Sequence, residues 1–100
     1  MTDQARDYTR RLDWKFAEAD RLARLDPDAR AAYRRLSVLR ARLARDAGVR
    51  AYHVLTNRLL LELAERRPAD VRALEEIPGL GRLRARAYGP EVLAVLRPPV

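Results

Sequence analysis

Apolar residues recur along this chain at steps of three and four, the spacing of one helix face, and nowhere alternate over a length that suits a strand. The first stripe is Ala5, Tyr8, Leu12, Phe16, Ala19, Leu22 and Ala23, which predicts one amphipathic helix over residues 3–25. Trp14 and Leu25 fall nearly opposite that stripe, among Asp7, Arg10 and Arg21. An off-stripe Trp suits either a second contact surface or a single exposed apolar residue, which is common on proteins. Asp26-Pro27-Asp28 then ends one helix and starts another, with Asp26 as N-cap and Pro27 in the first helical position. The second stripe is Ala29, Ala32, Tyr33, Leu36, Leu39, Leu43, Ala44 and Ala47, closed by Gly48. Arg40 lies inside it, so its stem is expected to pack while the guanidinium meets a carboxylate or helix-end carbonyls.

The connection Val49–Leu55 is too apolar for a free linker, and alternation places Val49 and Val54 underneath it, with Arg50 and Tyr52 outward. Thr56 or Asn57 caps a third helix through Arg67, with Leu60, Leu63 and Ala64 facing in, and Pro68 stops it. Asp70 caps a short helix, and Gly89-Pro90 separates the following helix from a last one over 91–96. Pro98-Pro99 ends the domain. The reading is all-α: a compact bundle of five to six helices preceded by a long N-terminal helix.

The stretch Leu74-Glu75-Glu76-Ile77-Pro78-Gly79-Leu80-Gly81-Arg82-Leu83-Arg84-Ala85 organises the rest. Pro78 cannot continue a helix, and Gly79 and Gly81 can take the positive φ of a tight reversal. Leu80 between them is predicted to plug the crevice between the two helices, meeting Leu74 and Ile77 on one side and Leu83 and Ala87 on the other. The next helix then presents amides that have no partner within it, and these favour an anion. Arg82, Arg84 and Arg86 follow at once, so phosphate of a nucleic acid is one reading and an ordinary turn with a solvated basic face is the other. On a helical wheel Arg82 and Arg86 share one flank, while Arg84 and Tyr88 share the opposite one.

Charge adds to this. Residues 1–28 hold six Lys/Arg against seven Asp/Glu, whereas residues 29–100 hold fifteen against seven, a balance of +8 on the part with the hairpin. Such a domain is compatible with a polyanionic partner. Every cation except Lys15 is arginine, which suits bidentate phosphate contacts and stacking on bases.

The ordered signals Tyr33, Leu36, Leu39-Arg40 and Ala44, then Gly48-Val49, Tyr52 and Val54, then Asn57, Leu60, Leu63-Ala64 and Pro68, then Leu74, Ile77, Gly79-Leu80-Gly81, Arg84 and Tyr88-Gly89 resemble the HRDC domain of RecQ-type helicases and RNase D. The likeness covers roughly residues 30–97. It implies a compact helical bundle with a helix-hairpin-helix-like element, serving as an accessory nucleic-acid-binding or regulatory module beside a motor or nuclease. In helicase members a basic and aromatic face binds single-stranded DNA, and the matching positions here are Tyr52 and Arg84, the latter where lysine is frequent. Two departures stand out: Arg50-Ala51 where the family usually has a proline before the aromatic, and Asn57 where it has a capping Asp. The division that follows is an extension over residues 1–28 and an HRDC-like domain over 29–100.

Catalysis lacks an inventory. The chain has no cysteine, one histidine (His53) and one lysine (Lys15) with no glycine near it, which excludes thiol chemistry, an ordinary metal site and a P-loop. Glu62 and Glu65 share a helix face and Glu75-Glu76 are adjacent, but neither pair has the further carboxylates of a metal nuclease. No cofactor is expected. No apolar run approaches membrane-spanning length and no signal segment is visible, so the expected location is cytoplasmic. Two functions stay open. One is a non-sequence-specific module for single-stranded or junction DNA, using Tyr52 and Arg84, with Arg50, Arg82, Arg86 and the Gly79 and Gly81 hairpin as further candidates. The other is a protein-interaction module docking through the first helix.

Overall fold

A computed structural model describes residues 15–97, and within them the chain is helical apart from short connections. Helix α1 covers residues 15–23, followed by α2 (Pro27–Ala47), α3 (Ala51–Val54), α4 (Asn57–Arg66), α5 (Val71–Glu75) and α6 (Arg82–Leu96). No strand occurs among the described residues, as the all-α reading requires. Ala5, Tyr8 and Leu12 of the first stripe, the off-stripe Trp14, and Pro98-Pro99 at the other end lie outside them.

Local chemistry sets the helix ends. Asp26 accepts a 2.8 Å hydrogen bond from the Ala29 amide, Thr56 one of 3.2 Å from Leu59, and Asp70 one of 2.8 Å from Ala73. Each such cap contributes about 1 kcal/mol. Gly48 closes α2 at φ 67°, and the amides of Gly48 and Val49 return to the carbonyls of Arg45 and Ala44.

The core forms around α4. Leu59, Leu60, Leu63 and Ala64 enter the main cluster with Ala32, Leu36 and Leu39 of α2, Leu74, Ile77 and Leu80 of the hairpin, and Ala85, Val92 and Leu96 of α6. Leu61 points the other way, into a smaller cluster with Leu25 and Ala29. The buried side chains of α4 thus serve both clusters, while α2 is the helix that packs against α3, α4 and α6. Arg40 behaves as expected: it donates to the Leu55 carbonyl at 3.1 Å and to Asn57 Oδ1 at 2.7 Å. Among the described residues no buried side-chain polar atom lacks a partner.

Several expectations are corrected. Gly89-Pro90 does not split the last helix; α6 runs unbroken from Arg82 to Leu96. Its buried residues Ala85, Gly89, Val92 and Leu96 form one stripe against α2 and α5, and that burial outweighs the hydrogen bond Pro90 cannot make. The same stripe explains why Leu83 and Ala87 do not meet Leu80. Both stand on the far side of α6 from Ala85, and Leu83 is 86% exposed. Val49 is exposed while Val54 and Leu55 are buried, because the connection is a helical turn (α3) and not an alternating extended segment. Ala47 at the end of the second stripe is exposed too.

Helix α1 is attached differently from its predicted stripe. Phe16 is 69% exposed, whereas Leu25, placed off the stripe, is buried. The helix ends at residue 23, so Leu25 sits in a turn and a helical wheel does not describe it. Leu22 and Leu25 supply the apolar contact, and Arg21 supplies the polar one: its Nη2 stands 2.8 Å from Glu62 Oε1 and its Nε 2.8 Å from Glu65 Oε1.

Candidate nucleic-acid interface

The hairpin is built as its residues require. The amides of Glu76 and Ile77 donate to the carbonyls of Ala73 and Leu74, and that of Leu80 to Ile77 at 3.2 Å. Gly79 and Gly81 take φ values of 85° and 82°, a region that disfavours any side chain. Leu80 is buried with Leu74 and Ile77. Gly81 is the N-cap of α6 and its carbonyl accepts from Ala85 at 3.0 Å, so the amides of Arg82, Leu83 and Arg84 have no acceptor within the helix.

The three hairpin arginines part company. Arg86 lies 3.7 Å from Glu75 across the hairpin, so its charge is partnered. Arg82 is exposed. Arg84 is half-buried and leans the other way, its Nη2 3.5 Å from the His53 carbonyl, which is a long contact that nonetheless ties α6 to α3. The next ring along α3 is Tyr52. It is 55% exposed and stacks on His53 with centroids 4.4 Å apart and planes 28° apart. That exposure excludes Tyr52 as a core residue and leaves ring surface for another planar group.

Tyr52, Arg84 and Gly79, far apart in sequence, border one open groove of ≈ 310 Å³, together with Thr56, Asn57, Arg58 and Leu59. Arg50, Arg82, Arg86 and Gly81 do not line it. Arg58 is the groove residue that sequence reasoning missed. It shares a face of α4 with Glu62, and only the packing of the hairpin beside α4 brings it to the groove. Among the described residues Arg50, Arg58, Arg82 and Arg84 form no ion pair, whereas Arg21, Arg24, Arg42, Arg66 and Arg86 each hold a carboxylate. Arg30, Arg34, Arg35, Arg40, Arg67, Arg72 and Arg97 likewise form no ion pair among the described residues, so what marks Arg58 and Arg84 is their place on the groove. A larger hollow, ≈ 370 Å³ beside Arg21, Arg24 and Glu65, is lined by charges already paired, which leaves little there for a ligand.

The ion pairs that fasten α1 also shift protonation. Hydrogen bonds donated to Glu65 and then to Glu62 hold the Arg21 proton more tightly than usual, and the bond from Arg21 is the chief cause of a lowered Glu62 pKa. No group of three or more His, Cys, Asp or Glu side chains among the described residues is placed to hold a metal ion. No helix among them is long and apolar enough to cross a membrane.

An all-helical bundle with a glycine hairpin beside a basic and aromatic groove defines a small helical domain. The family model for the HRDC domain matches residues 29–96, and the chain belongs to that family. Two similar proteins are the ATP-dependent DNA helicases UvrD2 of Mycobacterium bovis and Mycobacterium tuberculosis, each 41% identical over 54 residues. The matched stretch covers 54% of this chain and 8% of either helicase. No solved structure matches.

Proposed function

We propose that this chain acts as a non-catalytic accessory module that binds DNA without sequence preference, on single strands or junctions, attached to or partnering a helicase or nuclease. Residues 29–100 form the binding domain in this reading, and residues 1–28 are an extension appended to it. The observation that carries it is the juxtaposition of exposed Tyr52 with Arg84 along one groove whose cations, Arg58 and Arg84, have no acidic partner among the described residues. A stacked base contributes about 1–3 kcal/mol and is accepted whatever its identity, since every base has a π-face. Arginines beside the ring suit the flanking phosphates. An unpaired base can reach such a ring, whereas a base inside a duplex is already stacked on both faces. The helicase names of the relatives and the membership of the HRDC family support the setting.

Fluorescence anisotropy with labelled single-stranded, double-stranded and forked oligonucleotides at two salt concentrations tests the proposal. Salt-sensitive binding that favours the single strand or fork is expected. Failure to bind any of the three at low ionic strength rules it out. Protein docking is the second reading, favoured by one observation: Leu83 stands almost fully exposed on α6 beside the hairpin.

A further inference from the structure

Arg58 stands at the start of α4, and its guanidinium fills the space a side chain at Gly79 would take. It is exposed, borders the groove with Tyr52 and Arg84, and forms no ion pair among the described residues. Glu62 lies one turn further along the same helix, at the i+4 spacing where opposite charges meet, yet the two do not pair. Both oxygens of Glu62 are engaged elsewhere: Oε1 lies 2.8 Å from Arg21 Nη2 and Oε2 lies 2.9 Å from Arg66 Nε. Glu65 takes two bonds from the same Arg21, at 2.8 and 2.9 Å. Arg21 belongs to α1. The N-terminal helix therefore draws the acids of α4 away from Arg58. A hollow of ≈ 140 Å³ bounded by Ala17, Glu18, Arg21, Arg58 and Leu61 sets Arg58 at the seam between the two helices.

We propose that Arg58 is a phosphate ligand of the groove, and that docked α1 keeps it available by engaging Glu62 through Arg21. The inference rests on the DNA-binding reading of the groove. A guanidinium against a side-chain-free position offers its planar donors to a phosphate bidentately. Without Arg21, Glu62 Oε1 is released and pairs with Arg58 within α4. Pairs of this kind are weak, so binding falls only about two-fold. Loss of Arg58 itself removes a whole phosphate contact and about 0.7 from the log-log salt slope on a single strand.

The test titrates the whole chain against a fluorescein-labelled oligothymidylate of about 15 nucleotides, near the upper end of site sizes for small domains, across a salt series. Arg58→Ala is expected to weaken binding several-fold and to flatten the slope. Arg21→Gln is expected to weaken it about two-fold in the wild-type background and not at all in the Arg58→Ala background. Glu62→Gln added to Arg21→Gln is expected to restore binding. That double variant lacks the Arg21 ion pairs just as the single one does, so restoration also excludes misfolding as the cause. If the wild type binds and Arg58→Ala matches it in affinity and slope, Arg58 is not a ligand. An equal loss from Arg21→Gln in both backgrounds, or no restoration by Glu62→Gln, overturns the link through Glu62. A wild type that does not bind removes the groove reading as a whole, an outcome seen before any variant is compared.

Discussion

Arg40 of α2 donates a 2.7 Å hydrogen bond to the side-chain oxygen of Asn57 at the start of α4, and with its bond to the Leu55 carbonyl this joins α2 to the α3–α4 connection. The capping role at that point belongs to Thr56, so Asn57 serves as an acceptor for the arginine. Asn57→Ala leaves a half-buried guanidinium short of one acceptor and should lower stability by about 1–3 kcal/mol in urea unfolding. Asn57→Asp, which turns the bond into an ion pair, should hold stability at or above the wild type. An Asp variant as unstable as the Ala variant would show that the amide's other contacts matter more than the bond to Arg40.

Leu80 and Leu83 are three residues apart and have opposite fates, buried in the hairpin and exposed on α6. Leu80→Asp places an unpaired charge between α5 and α6 and should cost more than about 3 kcal/mol, with loss of hydrogen-exchange protection through the hairpin. Leu83→Asp should stay within about 0.5 kcal/mol of the wild type, as surface changes do. Retained protection in Leu80→Asp would contradict the packing described above.

Those two leucines mark how much was legible in the sequence. Caps and stops depend on neighbouring residues alone, so Asp26, Gly48 and Asp70 could be read directly, as could the Leu74, Ile77 and Leu80 side of the hairpin, and the cap of α4 could be narrowed to Thr56 or Asn57. Which face of α6 is inward depends on where α2 and α5 lie, and local sequence does not contain that. Pro90 misled for the same reason: a local breaker was set against burial by helices distant in the chain. In the site, Tyr52, Arg84 and Gly79 were singled out and do share a groove, whereas Arg58 was passed over. Its role depends on Glu62 being taken by Arg21, an arrangement between α1 and α4 that no helical wheel displays.

The Arg21–Glu62 pair predicts a dependence on pH. The folded pKa of Glu62 is below its ordinary 4.5, with the Arg21 hydrogen bond as the largest cause. Its contribution is therefore complete above the unfolded value and is lost as pH falls through the lower folded one. Arg21 is one-third exposed, so solvent and salt screen the pair and the contribution is about 1 kcal/mol or less. Urea unfolding should show the wild type more stable than Glu62→Gln at pH 7, with the difference shrinking as pH drops below 4.5 and in high salt. A difference that persists unchanged in strong acid would assign the effect to packing, not charge.

Tyr52 and Arg84 should fail in distinguishable ways. If the groove takes two to four phosphates of a single strand, each contributing roughly −0.7, the wild-type log-log salt slope should be about −1.5 to −3. Arg84→Ala removes one contact, so the slope should fall by somewhat under one unit and all sequences should weaken alike. Its tie to the His53 carbonyl is long, so stability should change little. Tyr52→Ala removes a stacking surface and no charge, so affinity should drop by the equivalent of about 1–3 kcal/mol while the slope stays at the wild-type value. With its ring more than half exposed, Tyr52→Ala should also keep the wild-type melting temperature to within a few degrees, despite losing its stack on His53. A stability loss of about 2 kcal/mol or more, the size of a core truncation, would mean that the ring supports α3. A change of slope with Tyr52→Ala would mean that the ring holds an arginine in place and does not itself carry a base.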